Sequence, residues 1–419
     1  MTPALRQIAF INAAHLITHY SLLILPTAVL TMAVPGGLFG SDYGPVLQLA
    51  TGGFVLYGLL SLPQGWLAQK FGRKSLMTAF YLGVGISMVA AGFANTPTAL
   101  MLGLASVGVF ASIYHPIGTA MLVEAAGDKV GRTIGLNGVF GNLGVATAPM
   151  ITGFLAVQGG WRWAFIVPGI VCTVIGLFWM RLPLASGGAR RASVAFPTIP
   201  RQMVRRAVVI LLLIAAVSGL VFNAFTLLLP KLMAERLADS PSLIPLAGLA
   251  AFAATLCGAL TQLTVGRMLD RTTLKRMFLP LALILAPALF CLSYVHGWMV
   301  VPLAGFVSAA LFGQVTVNET MTARYISPEL RTRMYSIRFF VGFLGAAIAT
   351  PLISVLYDRT GNLTTVTLVL AAFALITLTC ALFFPDRREE LAPELWQTMS
   401  PGSAPTGRNL VPGVQVAAE

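Results

Sequence analysis

Twelve continuously apolar stretches run along this chain of 419 residues, each of the roughly 17–25 residues that a helix needs to cross a bilayer. They begin near Arg6, Pro45, Ser75, Pro97, Thr133, Trp163, Ala207, Leu243, Met277, Met299, Tyr335 and Thr364. With 57% of residues hydrophobic and 10% charged, the apolar surface exceeds what a soluble core can hide, so lipid must solvate it. Strands of a membrane barrel would alternate apolar and polar residues over about ten positions, and these runs do not alternate. The sequence therefore predicts an all-α integral membrane protein with twelve transmembrane helices. The first stretch, from Arg6 to about Met32, is too long for a signal-peptide core and has no small-residue cleavage site, so it is expected as a retained helix.

The net charge of +13 orients the chain. Of the 27 Lys and Arg residues, only Arg162, Lys231, Arg236 and Arg359 fall in loops on one side, and Arg338 lies within helix 11. The others lie at the N-terminus, after helices 2, 4, 6, 8 and 10, and in the tail. This positive-inside bias places both termini in the cytoplasm and makes a nucleic-acid partner unnecessary. The predicted location is the cell inner membrane. Cys172, Cys257, Cys291 and Cys380 all lie in apolar helices without CxxC spacing and read as packing residues.

Residues 181–206 carry six arginines, no acid, and scattered Gly, Ser and Pro, and read as a basic cytoplasmic linker between six helices (1–180) and six more (207–384). The tail, 385–419, is polar and expected to be disordered. The halves repeat at an offset of 201: Gly65 with Gly266, Arg132 with Arg333, Gly144 with Gly345, and Pro149 within one residue of Pro351. A parallel duplication of six-helix units gives halves related by a pseudo-twofold axis along the membrane normal, with a midplane site between them.

These motifs resemble the major facilitator superfamily. Its signature between helices 2 and 3, G-x-x-x-D-x-x-G-[RK]-[RK], is met by Gly65, Gly72, Arg73 and Lys74, with Gln69 in place of the acid. The second copy keeps Gly266 and Asp270 but has Thr for the second Gly. On helix 5, Gly135, Gly144, Ala148, Pro149, Thr152 and Gly153 are similar to the family's antiporter motif, with Ala and Thr replacing two glycines. The stretch IYHPIG on helix 4, followed by an acid, Arg132 and FGNLG, resembles the fosmidomycin-resistance type of efflux transporter. The resemblance implies alternating access, with helices 1, 4, 7 and 10 lining a central cavity.

Ionisable groups at membrane depth cost about 2.5–3.5 kcal/mol each on an insertion scale, which makes the few present informative. His15 and His19 are spaced i,i+4 with Asn12 on the same face of helix 1. His115 sits on helix 4 beside Pro116, Glu319 is the carboxylate well inside a helix, and Arg338 enters helix 11. These six are the candidate substrate and proton pathway. An imidazole with an unperturbed pKa near 6.5 suits proton traffic. The plainer reading makes each histidine a structural hydrogen-bonder and Glu319 a static ion pair with Arg324 or Arg338. Gln69, Arg73, Asp270 and Arg271 are candidate gate residues, and Gly135, Gly144, Pro149, Gly345 and Pro351 candidate packing and hinge residues.

No Walker loop, dinucleotide fingerprint or pairing of metal ligands is recognised, so no cofactor, metal or enzymatic activity is expected. The expected function is proton-coupled efflux of a small organic solute by a monomer. The alternatives are proton-coupled uptake of an organic anion and a non-transporting membrane sensor.

Overall fold

Each apolar stretch forms a helix in a computed structural model that describes residues 2–126, 130–184, 199–237, 244–269, 271–326 and 328–391. In chain order they are α1 Pro3–Met32, α2 Tyr43–Leu60, α3 Arg73–Gly92, α4 Pro97–Ala125, α5 Val130–Gly159, α6 Trp161–Arg181, α7 Arg201–Leu237, α8 Ile244–Leu269, α9 Leu274–Leu292, α10 Val300–Tyr325, α11 Pro328–Thr360 and α12 Thr364–Phe383. All twelve contain a stretch long and apolar enough to span a membrane.

Local chemistry sets the ends. Thr2 and Thr96 cap α1 and α4 by accepting from Leu5 N–H at 3.3 Å and Ala99 N–H at 3.1 Å, and Pro3 and Pro97 follow where a missing N–H costs nothing. The chain enters α3 through Gly72 at φ 80° and ψ 146°, a conformation open to glycine alone, which accounts for the glycine in the signature between helices 2 and 3. Within α1 the helix breaks at Leu23, because Pro26 has no N–H to give the Leu22 carbonyl.

The six-helix duplication recurs as packing. In the first half α1 packs on α5, α3 on α6 and α2 on α4; in the second, α7 packs on α11, α9 on α12 and α8 on α10. The halves meet through α2 on α11 and α5 on α8, which exchange under the same twofold. At both α1–α5 and α7–α11 a glycine permits backbone contact. A Cβ on Gly144 would lie 2.3 Å from the Leu16 carbonyl oxygen, and one on Gly345 would lie 2.6 Å from the Leu220 nitrogen.

Several expectations are corrected. Gly135, expected to let a helix approach closely, faces open space, with nothing within 4 Å of a built Cβ; the close approach begins one turn and more along, at Gly141 and Gly144. The helices reach past their apolar cores, so that α7 starts at Arg201 and α11 at Pro328, because helix-forming polar residues and an N-terminal proline extend them beyond the lipid-facing segment. The linker expected over 181–206 is shortened accordingly, and residues 185–198 lie outside the described residues.

The tail expected to be disordered starts with an anchored turn, Arg388–Glu390. Glu390 accepts from Leu274 N–H at 2.9 Å, Tyr325 Oη–H at 2.6 Å and Arg324 at 3.4 Å, tying the chain to α9 and α10. Burial pushes its carboxyl above the usual carboxylate range, while those donors pull it down. Residues 392–419 and Asp270, a candidate gate residue, lie outside the described residues.

Candidate substrate and proton site

The site is built where α4 departs from regular helix. After Ala111 the helix widens into a π-helical turn, Tyr114–Gly118, at the point where Pro116 cannot donate a backbone bond. The turn aims Tyr114 and His115, adjacent in sequence, at α1 together. Tyr114 stacks on His15 with ring centroids 4.9 Å apart, and His115 lies 5.3 Å from His15 and 5.5 Å from His19. His15 and His19 are 5.1 Å apart, so the three imidazoles form a nearly equilateral triangle.

Asn137 on α5, which the sequence reading passed over, organises this triangle. Its carbonyl accepts from His15 Nδ1 at 2.7 Å, and a carbonyl only accepts, so Nδ1 carries the proton and Nε2 the lone pair. Its side-chain Nδ2 donates to Asn12 Oδ1 and to Tyr114 Oη, each at 2.9 Å, and Tyr114 Oη donates back to Asn137 Oδ1 at 3.1 Å. The signal available in sequence was an Asn amid the apolar run of helix 5. Gly141, one turn on, clears the space: a Cβ there would lie 2.5 Å from the His15 ring.

A cavity of about 1010 Å³, counted with its open mouth, lies between the halves. His19 and Tyr57 line it from the first half, and Asn223, Gln314, Glu319 and Arg338 from the second. The structure thus brings His19, Glu319 and Arg338 to one cavity. Arg338 donates to Glu319 at 2.9 Å, while Arg324 donates to Glu390, which answers the pairing left open by sequence. Of this pair Arg338 is shielded, with 9% of its side chain exposed, whereas Glu319 keeps 43% and so meets the cavity's water.

Arg338 lies 4.9 Å over the Phe339 ring, and Phe339 stacks on His115 at 5.3 Å. An unbroken chain of contacts therefore runs from Glu319 through Arg338 and Phe339 to the imidazole triangle. His115 faces the wall of the cavity, and its Nε2 is buried with no hydrogen-bond partner among the described residues.

On one side of the bundle, side chains join the two halves. At the ends of α2 and α11 remote from the chain termini, Gln48 Nε2 donates to Ser354 Oγ at 2.7 Å, and Thr51 and Thr350 share a 2.6 Å bond. Tyr43 packs on Tyr357 at 5.2 Å, with Lys231 5.3 Å over both rings. Deeper in, Asn142 donates to Gln262, joining α5 to α8. On the side of the chain termini, the ion pairs among the described residues stay within one half: Arg73 with Glu124, Arg276 with Asp386 at 3.6 Å, and Arg324 with Glu390. Of the candidate gate residues there, Gln69 and Arg271 are exposed. Pro149 and Pro351 lie inside α5 and α11, and Pro149 presents its carbonyl to α8 at Gly248, across the half–half interface.

Comparison with known proteins agrees with this architecture. Over stretches of 136 and 122 residues the chain is 32% identical to the multidrug resistance protein B homolog of Mycobacterium tuberculosis and to the puromycin resistance protein pur8 of Streptomyces alboniger. These matches take in 31% and 28% of this chain but span only about a quarter of each relative, 24% and 23%. The crystal structure of a D-xylose-proton symporter superposes with a TM-score of 0.72 over 90% of this chain and 96% of that one, at 13% identity, a likeness of fold. The family model for the Major Facilitator Superfamily matches residues 16–254 and 211–412, nearly the whole chain. On that match and on the twelve-helix, two-half fold, the chain belongs to the Major Facilitator Superfamily.

Proposed function

We propose that the protein exports a small organic solute in exchange for protons, across an inner membrane with both its termini in the cytoplasm. The observation that carries this reading is the half-exposed Glu319 carboxylate paired with a shielded Arg338 in the wall of the cavity. A carboxylate so placed can take up a proton from the cavity and release Arg338, which ties protonation to the packing between α10 and α11. His19 lines the same cavity, and Asn12, His15 and His115 supply the polar wall behind it.

Rocking the halves about the α2–α11 and α5–α8 contacts would open the Gln48–Ser354 side and close the side of the chain termini. There Gln69, Arg73, Asp270 and Arg271 are the gate, and Pro149 and Pro351 the bend points. The chain acts as a monomer. Two relatives named for drug resistance and the resemblance to fosmidomycin-resistance-type exporters support export.

Arg338 favours a second reading, uptake of an organic anion with a proton, since a cation in the cavity wall suits an anionic solute. Direction separates the two. Solutes that stabilise the purified protein in a thermal-shift screen, puromycin among those tried, identify a transported compound. Cells lacking the protein should then accumulate more of it than cells carrying it; less would support uptake, and equal levels would oppose both.

A further inference from the structure

We infer that His15, His19 and His115 form a binding site for one divalent transition-metal ion of the zinc class. Each histidine offers a ring nitrogen, and the three nitrogens lie within 4.8 Å of one another. A tetrahedral zinc with bonds of about 2.0–2.1 Å holds its donors about 3.4 Å apart, so a modest rotation of the rings closes the triangle. The ligand count matches sites with three protein nitrogens and one open position.

Three further observations point to a ligand. His115 Nε2 is buried without a hydrogen-bond partner among the described residues, a costly state for a polar atom unless something binds it. His15 donates its Nδ1–H to the Asn137 carbonyl, the outer contact that fixes the tautomer of a metal-binding imidazole and leaves Nε2 to coordinate. His19 has no hydrogen bond among the described residues yet lines the cavity, which places the open position toward the solute space.

The donor set selects the ion. Neutral imidazoles suit zinc, cobalt, nickel and copper, whereas magnesium and calcium require oxygen donors. The nearby side-chain oxygens are already engaged, Asn12 Oδ1 accepting from Asn137 Nδ2 and Asn137 Oδ1 from Tyr114 Oη. The cationic neighbour Arg338 is offset by Glu319 at 2.9 Å. Phe339 and Phe343, with rings 5.3 and 5.6 Å from His115, wall the second-half side and limit access by water.

Zn2+ titration of the full chain, purified in detergent without a histidine tag, tests this. One ion per chain is expected, with Co2+ giving the visible absorption of a tetrahedral nitrogen site. His19→Gln, which removes a ligand but no structural bond, should weaken Zn2+ binding at least about tenfold, as should His115→Gln. His296→Gln, a surface control beside Arg236, should leave it unchanged. Unaltered Zn2+ affinity in a folded His19→Gln protein, or binding no stronger than that of Mg2+, would overturn the inference. The measurement reads binding without flux, so its failure leaves the transport reading standing, and loss of exchange leaves the metal site standing.

Discussion

Gly144→Val should fail to yield monodisperse protein in detergent, and Gly144→Ala should yield protein that unfolds at clearly lower temperature. A Cβ at this position lies 2.3 Å from the Leu16 carbonyl oxygen and 3.0 Å from its carbonyl carbon and Cα. These are backbone atoms of α1 and cannot rotate away, so α1 and α5 must separate. Overpacking of a well-filled interface costs about 1–3 kcal/mol and occasionally more. Here the separation would also part His15 from Asn137, because the same two helices carry that bond. The twofold supplies an internal replicate: Gly345→Val should behave alike, since its Cβ would meet the Gly219 and Leu220 backbone at 2.9 and 2.6 Å. Gly135→Ala supplies the contrast. With nothing within 4 Å of its Cβ, alanine should be neutral or stabilise by about 0.4–1 kcal/mol. Size-exclusion profiles and thermal unfolding of the four variants check the prediction. Equal tolerance at Gly144 and Gly135 would show that the α1–α5 contact is not close.

Glu319→Gln should abolish gradient-driven flux in proteoliposomes while sparing solute binding. The substitution keeps an acceptor for Arg338 but removes both the counter-charge and the titratable oxygen. Breaking a buried ion pair by removing one partner costs about 3–5 kcal/mol, and less where one partner meets water as Glu319 does. Lower thermal stability is therefore expected alongside the loss of coupling. Glu319→Gln combined with Arg338→Gln removes the uncompensated cation and should recover stability without recovering coupling. That split separates a proton-carrying role from a purely structural pair, for which the double variant would recover both. Wild-type coupling in a folded Glu319→Gln protein would count against Glu319 as the proton site.

The number of helices, their order and the duplication were legible because lipid imposes them. A helix that crosses a bilayer needs an unbroken apolar run, and the offset of 201 residues survives at Gly144 and Gly345, which packing will not release. The polar and ionisable residues at membrane depth were legible for a related reason. His15, His19, His115, Glu319 and Arg338 stood out because charge and polarity are costly in that setting.

Pairing was not legible. Glu319 had Arg324 five residues away in sequence, yet it pairs with Arg338, and Arg324 pairs with Glu390 from beyond helix 12. A short tail segment was drawn into the fold by a buried carboxylate that composition alone files under solvent. Asn137 was missed because a lone amide carries no formal charge, although it holds Asn12, His15 and Tyr114 at once. That the three histidines bring ring nitrogens within 4.8 Å of one another was not legible, because His115 is remote in sequence and reaches the other two through the π-helical turn at Pro116. Gly135 was misread because small-residue spacing marks where helices can approach, not how far along the approach extends.

The most direct test of the account uses proteoliposomes loaded with a solute that stabilises the protein, an entrapped pH-sensitive dye, and no imposed gradient. On dilution into solute-free buffer the solute runs outward. Exchange for protons predicts that the interior acidifies, with a rate that follows solute efflux and vanishes in Glu319→Gln. An interior that turns alkaline would mean that solute and proton move together, and an unchanged interior during solute efflux would mean that no proton moves at all; either would contradict the account.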